Sequence, residues 1–210
     1  MAAAAALLTL AGLGPARAAG PTADPATGGL NPDWPCVQRL VPELSAAMMW
    51  SGPPLEGADG AWRKDPERAA LVQKLSDRSV PLDQAEGAID AFARDLAPER
   101  RAQELTSLFQ GVFQLITEQR HDVIEGIERY AKRQRLLAQK ITGSNRQLDA
   151  LRQSDAPDAQ SKLQERQVER DWDARIYDER RHALSQVCDQ PVQLERRAFA
   201  IARAVQGRLE

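Results

Sequence analysis

After Pro98 the chain carries no proline until Pro157, and across that stretch its apolar residues recur at alternating steps of four and three. The series runs Leu105, Phe109, Val112, Ile116, Gln119, Val123, Ile127, Tyr130, Gln134, Leu137, Ile141, Ser144, Leu148 and Leu151. Two steps of four follow one another between Gln119 and Ile127; elsewhere the alternation is unbroken. Such a rhythm keeps one seam of an α-helix turned toward a partner, and a doubled step is a stutter that locally unwinds the supercoil. It predicts one long coiled-coil helix of about 80 Å at 1.5 Å per residue, with Gly143 as its weakest point.

A helix of that length needs a neighbour. Ser154, Asp155, Ala156, Pro157 and Asp158 make a polar turn, and helix is expected to resume as far as about Val187, with Leu163, Ile176, Tyr177, Ala183, Leu184 and Val187 facing inward. So short a connection makes the two helices antiparallel neighbours. Folding the pair at Ala156 gives partner positions that sum to roughly 311 and sets Cys188 opposite Val123. The expected fold class is therefore all-α, a helical head with a long antiparallel coiled-coil hairpin. Residues 34–125 plus 188–210 make the head, and residues 126–187 make an arm of some 40 Å by helix rise. The stutter near Val123 is expected to mark where head becomes arm.

Composition agrees. Aromatic residues are only 5% of the chain, while Ala, Leu, Arg, Gln and Glu dominate, as in helices with much solvated surface. Lys and Arg total 28 against 30 Asp and Glu, so no global field favours nucleic acid.

Upstream of the long helix the order is less regular. Residues 1–19 read as a signal peptide, an apolar run followed by Ala16-Arg17-Ala18, with cleavage expected after Ala18 or Ala19. No Lys or Arg precedes Arg17, which leaves two alternatives: the start lies upstream, or the sequence is trimmed. The apolar stretch falls short of the roughly 20 residues a spanning helix needs, so the mature chain is not expected to span a membrane. Residues 20–33 form a Gly, Pro, Thr and Ala leader expected to be flexible. Three tryptophans (Trp34, Trp50 and Trp62) and five prolines between Asn31 and Lys64 exclude a single helix there. That segment is expected to wrap the core, the tryptophans acting as anchors, with a short helix from Pro42 to about Trp50. Asp65-Pro66 opens another helix ending near Arg78. Ser79 is expected to cap a third, whose apolar stripe is Leu82, Ala85, Ile89, Phe92 and Leu96. After Pro191 a last amphipathic helix carries Leu194, Ala198, Ile201, Val205 and Leu209.

Cys36 and Cys188 are the only cysteines. In an exported protein an even count favours a bond, and closing so long a loop contributes roughly 5 kcal/mol on the chain-entropy account.

Chemistry has few candidates. Both histidines sit in Glu-x-x-His motifs, Glu118 with His121 and Glu179 with His182. Paired on facing helices, such motifs build the di-metal carboxylate sites of helical bundles. The hairpin register separates His121 from His182 by roughly 12 Å along the axis, and arginines crowd both. A surface Glu to His pair on one helix is the plainer expectation. Asp171 and Asp173 read as a solvated face. No phosphate loop, nucleophile elbow or zinc-protease motif occurs, and neither a catalytic residue nor a cofactor is expected. Arg129, Lys132, Arg133, Arg135 and Lys140, with Arg175, Arg180 and Arg181 on the opposing helix, could form a positive collar at the base of the arm for an acidic partner or anionic surface. Acidic neighbours Glu128, Asp178 and Glu179 offer a salt-bridged flank instead.

The stretch Trp34-Pro35-Cys36-Val37-Gln38-Arg39, with Met49-Trp50-Ser51-Gly52-Pro53, resembles a pattern of uncharacterised exported helical proteins of proteobacteria. The resemblance runs from about Asn31 to the last helix; it implies export and carries no activity. The expectation is a non-enzymatic, periplasmic or secreted adaptor that presents its arm to another protein or a membrane-associated complex. The alternatives are a holdase chaperone, a di-metal carboxylate enzyme, and self-association of the arm.

Overall fold

The computed structural model describes residues 33–55 and 60–209. The expected signal peptide and nearly all of the leader lie outside the described residues. Among the described residues five α-helices follow in order: α1 (Pro66–Ser76), α2 (Leu82–Arg94), α3 (Pro98–Arg152), α4 (Ala159–Cys188) and α5 (Gln190–Gln206). Among the described residues there is no strand, and no helix is long and apolar enough to cross a membrane.

Helix α3 runs 55 residues without interruption. Pro98 stands at its start, where a missing N–H is harmless and a fixed φ suits the helix. Gly143 does not break it, because one glycine in a helix interior costs only about 1 kcal/mol. Every position of the four-three seam from Leu105 to Leu151 is buried or half-buried. Along α3 and α4 the cross-helix pairs run in opposite directions: Tyr130 meets Arg180, Gln134 meets Tyr177, and Lys140 meets Asp173 and Glu169.

The main core gathers on the first half of α3. Leu105, Leu108, Phe109, Val112 and Ile116 pack with Val72 and Leu75 of α1, Ala85 and Ile89 of α2, and Leu194, Ala198, Ile201 and Val205 of α5. Each such side chain, taken fully out of water, contributes about 1.5–3 kcal/mol. Glu104, itself buried, receives both Arg68 and Arg100, so α1 is tied to α3 by a carboxylate between two guanidiniums. A second cluster lies at the far end of this core. Cys36 and Cys188 are bonded, with Cα atoms 5.5 Å apart, and pack with Ile127, Val123, Trp34, Leu184 and Val187.

The wrapping segment is pinned as its tryptophans suggest. Trp50 stacks on Phe109 with ring centroids 4.4 Å apart, and its Nε1 donates to the Pro53 carbonyl oxygen at 2.7 Å. Trp62 is buried and donates to Gln114 Oε1 at 2.9 Å; Trp34 donates to the Gln38 carbonyl oxygen at 2.7 Å. Each indole thus buries apolar area while its N–H is satisfied.

Several local expectations are corrected. The helix expected from Pro42 to Trp50 is a single 3-10 turn, Ala46–Met48. Arg120 Nη1 donates to the Pro42 carbonyl oxygen at 3.0 Å, engaging the acceptor that the first turn of that helix would use. Ser79 does not cap α2. Its N–H and hydroxyl both bond Asp77 Oδ1 at 2.8 Å, and Pro81 takes the cap position without a side-chain bond. Asp65 does cap α1, accepting from the N–H groups of Glu67 and Arg68. Leu82, the first residue of α2, and Ala183 are exposed rather than inward.

Candidate functional site

Glu118 and His121 share a helix face one turn apart, yet they do not pair. Glu118 accepts two hydrogen bonds from Arg63 Nη2, at 2.9 and 2.8 Å, across to the wrapping segment. His121 instead lies 3.0 Å from Glu125, one turn further on. The expected Glu to His surface pair is therefore replaced by a Glu118 to Arg63 pair and a His121 to Glu125 pair. The four-residue spacing suits the second contact as well as three suits the first, and Arg63 is the stronger competitor for Glu118. His182 and Glu179 are exposed on α4. Among the described residues no group of three or more His, Cys, Asp or Glu side chains is placed to hold a metal ion.

All but one of the basic residues of the expected collar divide into two sets. Arg129 pairs with Glu125 at 3.0 Å, Arg135 with Asp33, and Arg181 reaches Asp178 at 4.0 Å. Lys140 bridges the two helices, 3.1 Å from Glu169 and 2.8 Å from Asp173. The hydrogen bonds that Lys140 donates to Asp173 and then to Glu169 raise its pKa, and the bond from Lys140 holds the Glu169 carboxyl below its usual range. The bond from Arg129, followed by the charge of His121, likewise lowers Glu125. Asp173 is only 13% exposed at its side chain, which corrects the solvated reading of that residue. The exposed pairs among these contribute little to stability, because water and salt screen them. Lys132, Arg133 and Arg180 form the second set: all three are exposed, and among the described residues no carboxylate pairs with them.

Arg175 belongs to neither set. Its guanidinium lies over the Trp172 ring, 5.2 Å from the centroid, a cation–π contact. Trp172 itself is 59% exposed, beside Val168 at 60%, one turn away on α4. Leu136 on α3 is 57% exposed. Reasoning from sequence did not single out these three. The available signal was the place of Leu136 off the α3 seam; Trp172 keeps four-residue spacing with both Val168 and Ile176, so spacing does not set it apart.

No family model, curated protein or solved structure matches the chain.

Proposed function

We propose that the protein is a non-enzymatic interaction protein of an extracytoplasmic compartment, whose helices α3 and α4 extend beyond the head as an antiparallel coiled-coil arm, residues 126–187, that engages a partner protein or membrane-associated complex. The observation that carries this reading is the exposure of Leu136, Val168 and Trp172 on that arm, outside both buried clusters. A tryptophan left more than half in water contributes little to folding, whereas buried against a partner it is among the strongest anchors an interface can hold. The Cys36–Cys188 bond supports the compartment, since structural disulfides persist where thiols are oxidised.

The same three residues also suit a holdase that grips unfolded clients. The dense charge around them favours a defined partner, because promiscuous binding surfaces are broad, apolar and rich in methionine, and residues 126–187 contain no methionine. The test replaces residues 130–182 by a short turn and captures partners from membranes with disulfides intact. Loss of capture by a head that stays helical and bonded supports the arm as the binding element. Retained capture places binding on the head and defeats the proposal. Equal suppression of aggregation for unrelated unfolded clients by the intact protein, lost on Trp172→Ala, supports the holdase instead.

A further inference from the structure

Gln134 is a polar residue at a seam position of α3, only 7% exposed. Its Nε2 donates to the Tyr177 carbonyl oxygen at 3.1 Å. A carbonyl oxygen only accepts, so this bond sets the orientation of the amide and leaves Oε1 as the outstanding acceptor. Oε1 is buried and has no hydrogen-bond partner. An unmade buried acceptor is unfavourable, and a leucine at this position would fill the seam without it.

Gln134 lines a cleft of about 150 Å³ together with Tyr130, Arg133 and Arg180. Tyr130 Oη donates to the Arg180 carbonyl oxygen at 2.9 Å and so fixes one wall. Arg133 and Arg180, both exposed, are the cationic residues of its lining, and neither has a carboxylate among the described residues. Their neighbours Arg129 and Arg181 each have one, and Lys140 has two. Pockets for drug-sized ligands begin at roughly 300 Å³, so this cleft takes one functional group and not a cofactor.

We infer that the cleft receives the carboxylate of an acidic residue in a partner's peptide segment, held between Arg133 and Arg180, whose exposed side chains move aside so that an N–H of the same segment donates to the buried Gln134 Oε1. Guanidiniums are donors alone and match a carboxylate in planar, charge-assisted pairs. Oε1 asks for the opposite, a donor. An aspartate or a C-terminal residue carries a carboxylate and a backbone N–H within one residue, so it meets both demands. A phosphodiester offers only acceptors and leaves Gln134 unmet. Leu136, three residues from Arg133, gives an apolar side chain of the same segment an exposed contact beside the cleft. The inference deepens the reading of the arm as the partner-binding element, and rests on it.

The test titrates the isotope-labelled, disulfide-intact protein with four probes: N-acetyl-aspartate amide, acetate, inorganic phosphate, and phosphatidylcholine vesicles containing phosphatidylglycerol. N-acetyl-aspartate amide is expected to move the Gln134 side-chain amide signal saturably and to bind about tenfold more tightly than acetate. Arg133→Ala with Arg180→Ala should abolish the response to both while the helical signal is unchanged, since both side chains are exposed. Gln134→Leu should remove the advantage over acetate and leave acetate binding intact. Equal binding of the two carboxylates, tighter binding of phosphate, vesicle binding that depends on the two arginines, or no response overturns the inference. A silent cleft with capture lost on arm deletion defeats this inference alone; capture retained on deletion defeats the arm reading whatever the cleft binds.

Discussion

Gly111 and Gly143 lie on the same helix and differ in what surrounds them. A Cβ built at Gly111 would come within 2.9 Å of Trp62 Cγ and of Val72 Cγ2, both in the packed core, whereas one built at Gly143 meets nothing within 4 Å. Overpacking costs about 1–3 kcal/mol and alanine recovers about 1 kcal/mol of helix propensity. Gly111→Ala is therefore expected to destabilise by about 1 kcal/mol, and Gly143→Ala to stabilise by about 0.5–1 kcal/mol. Urea unfolding followed by circular dichroism reads both, and a stabilised Gly111→Ala would show that α1 and Trp62 do not press on α3 as described. Two arginines belong to the same scale. Arg197 is 7% exposed and donates to the carbonyl oxygens of Leu75 at 2.6 Å and Val80 at 2.7 Å, while Arg120 holds Pro42. Burial lowers the pKa of each. In the sequence both look like ordinary surface charges of amphipathic helices. Nothing in local spacing shows that the loop after α1 and the wrapping segment bring bare carbonyls to them.

At the scale of elements, the four-three rhythm made α3 and its packed seam legible, and the turn residues 153–158 separate it from α4 as the polar Ser154–Asp158 stretch implies. The short elements were less legible. Asp65-Pro66 started α1 because the cap and the proline act locally, but the Pro42 helix and the Ser79 cap were lost to competitors, Arg120 and Asp77, of which only the second lies nearby in sequence. Between α3 and α4 one of the crosslinks is ionic, that of Lys140 with Asp173 and Glu169. Lys140 lowers the Glu169 carboxyl, and a depressed carboxylate contributes stability that is complete above its usual range near 4.5 and is lost as pH falls through the folded value. Acid is thus expected to loosen the α3–α4 contact at Lys140. In Lys140→Met the Glu169 carboxyl should titrate closer to its ordinary value, as followed by its side-chain carbon shift. An unchanged titration would assign the depression to Arg166 alone.

At the scale of the whole molecule, two of the contacts that hold the wrapping segment lie well apart along it. Near Cys36 the disulfide is supported by Gln38, which donates to Asp189 Oδ1 at 2.8 Å. Further along, Trp50 stacks on Phe109, and Gln206 of α5 accepts from the Ser51 N–H at 2.8 Å and donates to the Met49 carbonyl oxygen at 3.2 Å. Reducing the bond should therefore release residues 33–41 while leaving residues 46–55 docked. Limited proteolysis after reduction is expected to cut the first stretch well before the second. Simultaneous cleavage of both would mean that the disulfide alone holds the segment down.

Helix identity, the seam of α3, the pairing of the only two cysteines and the anchoring role of the three N-terminal tryptophans were determined by the sequence itself, because each depends on spacing, counting or area that does not change with the fold. The partners of charged and amide side chains were decided by tertiary structure. Glu118 chose Arg63 over His121, Lys140 found Asp173 across the helix pair, and Gln134 was left with a buried, unpartnered oxygen in a cleft lined by two arginines. A long polar side chain reaches several ångströms in any direction, so its contacts depend on which chain segment arrives beside it. An apolar seam has one way to leave water, and its period along the chain already states it.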